Sequence, residues 1–421
     1  MAEKRNIQVY AHWQGLENPA LMGVLSSERL KGKEIFSFSY TKEWFDSGFA
    51  QYIDPALQLY TGPQYLDDTK DNFGVFLDSS PDRWGRLLMR RREAAIARAE
   101  KRKENTLFET DYLLGVFDGH RMGGIRFKTD PGGAFLNDNA AMASPPWTSL
   151  KELEYASLQL EKDDAVNDPD YLKWLNLLVA PGSSLGGARP KASVLDGKRH
   201  LWIAKFPSNN DGKDIGGWEM VVNELAIKAG LNVAEGTARQ FSKKQHTFLT
   251  KRFDRTNTGE RIHFASAMTL LGLNDGNDHT EGISYLHLAE FLMRSGANVT
   301  ADLEELWRRI VFNICVSNTD DHLRNHGFLL SNSGWLLSPA FDINPVENST
   351  GLKLNITLTD NALDLEIALE VAGEFRVKKE RANEIIKLVK ASVSKWRLVA
   401  EKNKLPKAEQ ELLANAFITE K

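Results

Sequence analysis

Residues 318–345 read NTDDHLRNHGFLLSNSGWLLSPAFDINP. They set Asp320, Asn325 and Asp342 around two short apolar runs, Gly327 to Leu330 and Trp335 to Leu337. The runs are joined by the turn-like Ser331-Asn332-Ser333-Gly334. A carboxylate, an amide five residues on, a hairpin and a second carboxylate are the parts of a phosphoryl-transfer site. One aspartate can accept a hydroxyl proton. The asparagine and the second aspartate can hold Mg²⁺, which prefers hard oxygen ligands. Asp-x₄-Asn alone arises by chance about once in a chain of this length. The weight therefore rests on its surroundings: an apolar helix, Leu303 to Val316, before it and the hairpin after it. Asp321 is the rival base, and the four-residue gap to Asn325 favours Asp320. His322 and Arg324 lie inside the loop, where a structural role is the alternative to a ligand contact. His326 falls outside the site.

Working upstream, residues 182–191 read GSSLGGARPK. Glycines let backbone N–H groups approach phosphates, and Ser183 and Ser184 add donors beside Gly186 and Gly187. No Gly-Lys-Ser/Thr follows, so this is not a Walker A loop, and an ordinary flexible loop is the competing reading. A strand from Lys191 to Leu195 turns at Asp196-Gly197, a hairpin signal. It returns as His200 to Phe206. Alternation puts Lys205 on the face opposite Trp202, Ala204 and Phe206, where its ammonium can neutralise phosphate charge; a solvated lysine is the bland alternative. Gly217 to Gly230 reads as a helix ended by glycine. Glu219 in its first turns is the expected partner of Lys205, with Glu224 as competitor. Gly-rich loop, strand, hairpin, strand with lysine and helix with glutamate is the order of a protein-kinase small lobe.

Elsewhere, residues 6–40 alternate like strands. Asp82 to Lys103 reads as a helix with Trp84, Leu87, Leu88, Ala95 and Ile96 among many cations. Residues 124–127 form another strand, and the Gly-, Asn- and Pro-rich stretch 130–147 is the best linker. Residues 148–180 read as helical, as do 285–294, 302–316 and two segments beyond Phe375. A strand near Thr247 to Thr250 leads into Lys251-Arg252-Phe253-Asp254. Three segments follow: 1–145, 146–255 and 256–421.

The 421 residues, 42% hydrophobic and 26% charged, describe a globular chain with a substantial core. A net charge of −4 gives no global argument for direct nucleic-acid binding. The single cysteine, Cys315, excludes an internal disulfide and a cysteine-rich metal site; in its apolar helix it reads as a packed core thiol. No apolar stretch approaches the roughly 18–20 residues of a membrane span. The charged start, Met1 to Arg5, runs straight into a strand, so no signal peptide and a cytoplasmic location are expected. Trp84, Trp174, Trp307 and Trp335 read as core or rim residues. The cations Arg90-Arg91-Arg92, Arg98 and Lys101-Arg102-Lys103 read as a solvated helix face or as a contact for DNA or a partner.

Taken together, GGARPK, WIAKFPS, LTKRFDR, SNTDDHLRNHGFLL and LSPAFDINP resemble the HipA family of bacterial toxin kinases. GVFLDSSPDRWGRLL and MGGIRF resemble that family's small amino-terminal capping domain, so the likeness covers nearly the whole chain. The resemblance implies an α+β fold: a protein-kinase-like bilobal core, a capping α/β domain over 1–145 and a mostly helical C-lobe. It implies an ATP- and Mg²⁺-dependent serine/threonine protein kinase, the toxin of a toxin–antitoxin pair associated with persistence. A HipB-like helix-turn-helix antitoxin, operator DNA reached through it and a corepressor role come with that. So does a protein substrate, typically glutamyl-tRNA synthetase, with no membrane partner. On this resemblance Asp320 is the catalytic base, and Asn325 and Asp342 are the Mg²⁺ ligands. Lys205 contacts phosphates, Lys251 to Phe253 form the adenine hinge, and His322 counts among the nucleotide-binding residues. Where a well-studied relative autophosphorylates a loop serine, this chain has Ala188; Ser184 is the alternative acceptor. A non-catalytic ATP-binding corepressor and a small-molecule kinase of aminoglycoside or lipid type are the competing functions.

Overall fold

Period-two alternation from Glu3 to Tyr40 produces three long antiparallel strands, β1 (Glu3–Ala11), β2 (Ala20–Leu30) and β3 (Lys33–Tyr40). The computed structural model describes residues 3–30, 32–67, 69–179, 187, 189–241 and 245–419. The chain divides into two units, Met1–Asn209 with Asp254–Ala265, and Asn210–Phe253 with Ser266–Lys421.

In the first unit, β4 (Gln64–Tyr65) and β5 (Ile125–Lys128) complete a sheet of order β4-β3-β2-β1-β5. Ile7, Val9, Leu25 and Phe38 are fully buried. Phe38 meets Phe76, and Phe76 meets Phe127, at ring separations of 5.6 and 5.8 Å. Short helices α1 (Lys42–Asp46) and α2 (Gly74–Leu77) precede α3 (Arg83–Ala99) and α4 (Glu109–Gly115). The side chain of Asp82 caps α3 by accepting from Gly85 N–H at 2.8 Å.

Within the helical stretch expected over 148–180, the described residues to Val179 form two helices, α5 (Leu150–Leu160) and α6 (Tyr171–Val179), rather than one continuous run. Pro169 removes a donor, and Asp168 turns its carboxylate onto the N–H of Asp170 at 2.8 Å, so the chain restarts there. The cationic face of α3 is largely used inside this unit. Arg91 donates to the Leu160 carbonyl, Arg92 to Asn176 Oδ1 and Arg98 to the Val166 carbonyl. Arg102 pairs with Glu93 and Glu100.

Strands β6 (Lys191–Leu195) and β7 (Leu201–Lys205) pair antiparallel. Their connection is five residues long, not the two-residue turn that Asp-Gly suggests. The Asp196 carboxylate accepts from the N–H groups of Lys198 and His200, and the left-handed residue is Arg199. The Asp196 side chain reinforces a backbone turn in which Arg199 N–H donates to the Asp196 carbonyl at 3.0 Å and Asp196 N–H to the His200 carbonyl at 3.1 Å.

The segment Asp254–Ala265 joins the amino-terminal unit although the chain around it belongs to the other. Asp254 is fully buried and accepts from Gly123 N–H at 2.9 Å and Arg255 Nη1 at 2.6 Å. Gln14 N–H donates to the Arg261 carbonyl, and the His263 ring stacks on Trp13 at 4.9 Å. Burial pushes the His263 imidazole down to about 3. Gly123 has φ +70°, and a Cβ there would lie 2.9 Å from Phe264 N, so only glycine fits. Nearby Arg121 is buried, its guanidinium donating to the carbonyls of Ser79, Leu113, Val116 and Leu136.

The second unit contains α7 (Ile215–Lys228), β8 (Gly236–Arg239) and β9 (Thr247–Lys251). Strand β10 (Phe264–Ser266) spans the boundary, and α8 (Ala267–Leu270), α9 (Tyr285–Ser295) and α10 (Val299–Cys315) follow. The hairpin β11 (Gly327–Ser331) and β12 (Gly334–Leu337) comes next, then α11 (Leu365–Glu370). Among the described residues three α-helices, not two helices, follow Phe375: α12 (Lys379–Val393), α13 (Trp396–Lys402) and α14 (Lys407–Leu412). Lys404 in the left-handed region and Pro406 before α14 break the run. Helix α10 is the core: Leu303, Leu306, Trp307, Ile310, Val311 and Ile314 are fully buried. Cys315 is buried there too, its thiol pushed up to about 12 by desolvation. Trp84, Trp174, Trp307 and Trp335 are all buried. Among the described residues no helix is long and apolar enough to cross a membrane.

Asp254→Ala removes the acceptor of Gly123 N–H and leaves Arg255 without its buried counter-charge. A destabilisation of about 3 kcal/mol is expected, read as a lower urea midpoint, while exposed Arg102→Ala shifts the midpoint far less.

Candidate active site

The chemistry-bearing loop begins where α10 ends. Ser317 adopts φ +49° and turns the chain out of the helix. Asp320 and Asp321 then diverge. Asp320 is exposed at the loop surface, whereas Asp321 is buried. Asp321 Oδ2 accepts from Tyr285 Oη at 2.6 Å, Asn313 Nδ2 at 2.6 Å and His326 Nε2 at 2.9 Å. Burial pushes the Asp321 carboxyl upward, but His326 and these donors outweigh it and hold the group below its ordinary range. An oxygen so saturated is a structural acceptor. The Asp320 carboxyl shifts the other way, raised by partial burial and by repulsion from Asp342 against the pull of His322 and Lys353. A carboxylate with a raised proton affinity and an open face can accept a proton.

Asn325 is buried, and its Nδ2 donates to the Asp320 carbonyl at 3.0 Å. Its Oδ1 is buried with no hydrogen-bond partner among the described residues. Such an oxygen is costly unless something else satisfies it. A hard cation does so, and the carboxylate of Asp342 supplies the anionic oxygen such an ion requires. The pair therefore fits Mg²⁺, which takes one or two protein oxygens and fills its remaining positions with phosphate and water. Asp342 itself sits at φ +59°, a conformation costly for a non-glycine residue.

The two loops are tied together by amides. Asn313 Oδ1 accepts from Asn318 Nδ2 at 3.1 Å, and Asn318 Oδ1 accepts from Asn344 N–H at 3.3 Å. With the Asn313–Asp321 bond, one network runs from the Asp320 loop to a residue two places beyond Asp342. Sequence reasoning passed over Tyr285, Asn313 and Asn318. The available signal was Asn313, a polar residue inside the apolar run VFNICV.

Glu219 on α7 is buried, and it lines one small cavity with Asn223, Phe248, Thr250 and Asp342. Glu224, the competing glutamate, is engaged elsewhere, accepting from Lys402 Nζ at 2.7 Å and Asn403 Nδ2 at 3.0 Å. Gly216 brings the start of α7 against β9: a Cβ there would lie 2.2 Å from the His246 carbonyl oxygen. Lys251 N–H donates to the Glu235 carbonyl, and the Phe253 ring lies 5.4 Å from that of Phe341. In the other unit Lys205 ends β7, buried and directly across the hairpin from Lys191. Gly187 is described, but Ser183, Ser184, Gly186 and Ala188 lie outside the described residues.

The HipA-like C-terminal domain model matches residues 183–396. A "Putative kinase" of Haemophilus influenzae is 27% identical over 179 residues, 38% of this chain and 52% of that protein. The chain thus spans about half the length of that relative. The "Serine/threonine-protein kinase toxin HipA" of Shewanella oneidensis is 25% identical over 347 residues, 75% of this chain and 71% of the toxin. A solved structure of the Shewanella oneidensis HipA, HipB and operator DNA complex superposes with TM-score 0.65 at 17% identity. It covers 97% of this chain and 94% of that one, so the mixed helix-and-sheet, kinase-like fold is shared.

Asp321→Ala leaves three buried donors without an acceptor, and a loss of about 3 kcal/mol is expected. Because folding holds the Asp321 carboxyl below its ordinary range, its contribution is complete at neutral pH. It is lost as pH falls through the carboxylate range and below. Urea midpoints of Asp321→Ala should therefore depend less on acid pH than those of the intact chain.

Proposed function

Because the chain belongs to the family of HipA-like toxin kinases, we propose that it is an ATP- and Mg²⁺-dependent serine/threonine protein kinase. The observation that carries this reading is the contrast between two adjacent carboxylates. Asp321 is sealed and saturated by three donors, while Asp320 is exposed, proton-hungry and beside an orphaned Asn325 oxygen.

In this reading a substrate serine or threonine hydroxyl attacks the γ-phosphorus of ATP in line, and ADP leaves. Asp320 orients the hydroxyl and accepts its proton. Asn325 Oδ1 and Asp342 hold Mg²⁺, which when bound neutralises charge on the phosphate oxygens. Lys205 contacts the phosphates and Glu219 fixes its ammonium. Ser183, Ser184, Gly186 and Gly187 cover the phosphates, with Ser184 as the candidate autophosphorylation site. Lys251 to Phe253 receive the adenine, and His322 borders the nucleotide. Residues 1–145 act as the capping segment, 146–255 as the small lobe and 256–421 as the large lobe.

The 25% identity to the Shewanella oneidensis toxin over most of both chains supports a growth-inhibiting role. The solved relative carries HipB and operator DNA. The corresponding partner here is a HipB-like helix-turn-helix antitoxin, with this chain as corepressor at an operator in the cytoplasm. The substrate is a host protein, an aminoacyl-tRNA synthetase of glutamyl type, whose phosphorylation slows translation.

Incubated with labelled ATP, Mg²⁺ and host lysate, the intact chain should label one protein band, and Asp320→Asn should not. Label in small molecules instead favours a metabolite kinase, and no transfer at all favours an ATP-binding corepressor. Asp320→Asn and Asp342→Asn should each lower kcat by at least about 10²-fold with unchanged unfolding midpoints.

The base must be ionised, so kcat/KM should fall as pH drops through the raised Asp320 value. His322→Ala removes a group that pulls this value down, so the acid limb should move to higher pH. A limb that stays in place removes Asp320 as the titrating base.

A further inference from the structure

Asn344 lies two residues beyond Asp342 and is tied to it by its side chain. Its Nδ2 donates to Asp342 Oδ1 at 3.4 Å. Its backbone N–H donates to Asn318 Oδ1 at 3.3 Å, at the end of the amide network that starts at Asp321. Its own Oδ1 is buried with no hydrogen-bond partner among the described residues, as is that of Asn325. Two asparagines of the candidate site thus each bury an unsatisfied oxygen. The fold satisfies neither, so each costs free energy until a ligand supplies the missing partner.

An amide is the side chain that suits this position. A carboxylate that holds a hard cation must be turned toward it, and Mg²⁺ keeps several waters whose hydrogens need acceptors. Nδ2 serves the first need by holding one oxygen of Asp342, and Oδ1 serves the second by accepting from retained water. A carboxylate at 344 could accept but, when ionised, not donate, and it would repel Asp342. An apolar residue could do neither. A hydrogen bond of 3.4 Å is weak, so it directs the Asp342 oxygen without neutralising its charge. From this we infer that Asn344 is a positioning residue for the cation, acting outside the direct ligands Asn325 and Asp342. It orients Asp342 and receives the ion's water. The inference rests on the kinase reading of the site and deepens it by adding a residue that sets metal affinity. Outer partners of this kind commonly change metal affinity by about 10- to 100-fold.

The test compares the intact chain with Asn344→Ala. Alanine keeps the backbone N–H that meets Asn318, so the loop network is spared and only the side chain is removed. Mn²⁺ is the probe, because the EPR signal of the free ion falls as it binds. It is titrated into protein holding a non-hydrolysable ATP analogue at fixed concentration, with the analogue's own Mn²⁺ binding subtracted. The apparent Mn²⁺ Kd should rise about tenfold or more in Asn344→Ala. Metal-free binding of the analogue should stay within about twofold, and kcat at saturating Mn²⁺ should fall by less than the affinity does. If Asn344→Ala does not fold, Asn344→Ser, too short to reach both partners, replaces it with the same expectations. A folded variant whose Mn²⁺ affinity stays within about twofold of the intact chain overturns the inference. So does an equal weakening of metal-free analogue binding, which would make Asn344 a general support of the fold. An intact chain that binds neither the analogue nor Mn²⁺ refutes the kinase reading instead.

Discussion

The carboxylate of Asp321 is the constraint on which the candidate site depends. One oxygen accepts from a tyrosine on α9, an asparagine on α10 and a histidine that closes the loop. A buried carboxylate is tolerated only when such donors surround it. In the conformation that satisfies Asp321, the loop between α10 and β11 turns Asp320 outward. The same asparagine passes the constraint through Asn318 to Asn344 and so to the backbone that carries Asp342. Two acidic groups with opposite fates stand side by side because burial decides which of them is structural.

A second constraint acts in the unit that contains the amino-terminal residues. The segment Asp254–Ala265, immediately after the hinge-like Lys251 to Phe253, is held by Asp254, Arg255 and Arg261 against the loop at Gly123. In the same unit Lys191 Nζ donates to Asp82 Oδ2 and to the Gly187 carbonyl, each at 2.9 Å. Both devices use buried charge, which is expensive to unpair and so specifies position. They give the amino-terminal sequence a structural hold on residues on either side of the proposed nucleotide-binding elements.

What local patterning could show, it showed well. Alternation marked β1, β2 and β3, because half-buried strands expose every second residue, and short apolar runs around turn residues marked both hairpins. The apolar run from Leu303 to Val316 marked α10. It could not show that 148–180 breaks at Pro169 or that the Asp196 carboxylate reinforces its loop, since side-chain-to-backbone bonds leave little periodic trace. Position in the first turns of α7 favoured Glu219 and left Glu224 as its competitor. Their surroundings separate them, Glu224 being taken by Lys402 and Asn403 from a helix far along the chain.

The sequence alone determined the order of elements, the α+β class and the spacing of Asp320, Asn325 and Asp342, because these follow from local composition and neighbours along the chain. Only the tertiary structure decided which aspartate is buried, that Asn325 Oδ1 is among the asparagine oxygens without a partner among the described residues, and which lysine of the hairpin pairs with Asp82. Those outcomes depend on desolvation and on donors brought from up to 109 residues away. The energy of a charge is set by what surrounds it in space, and that is fixed only when the chain has folded.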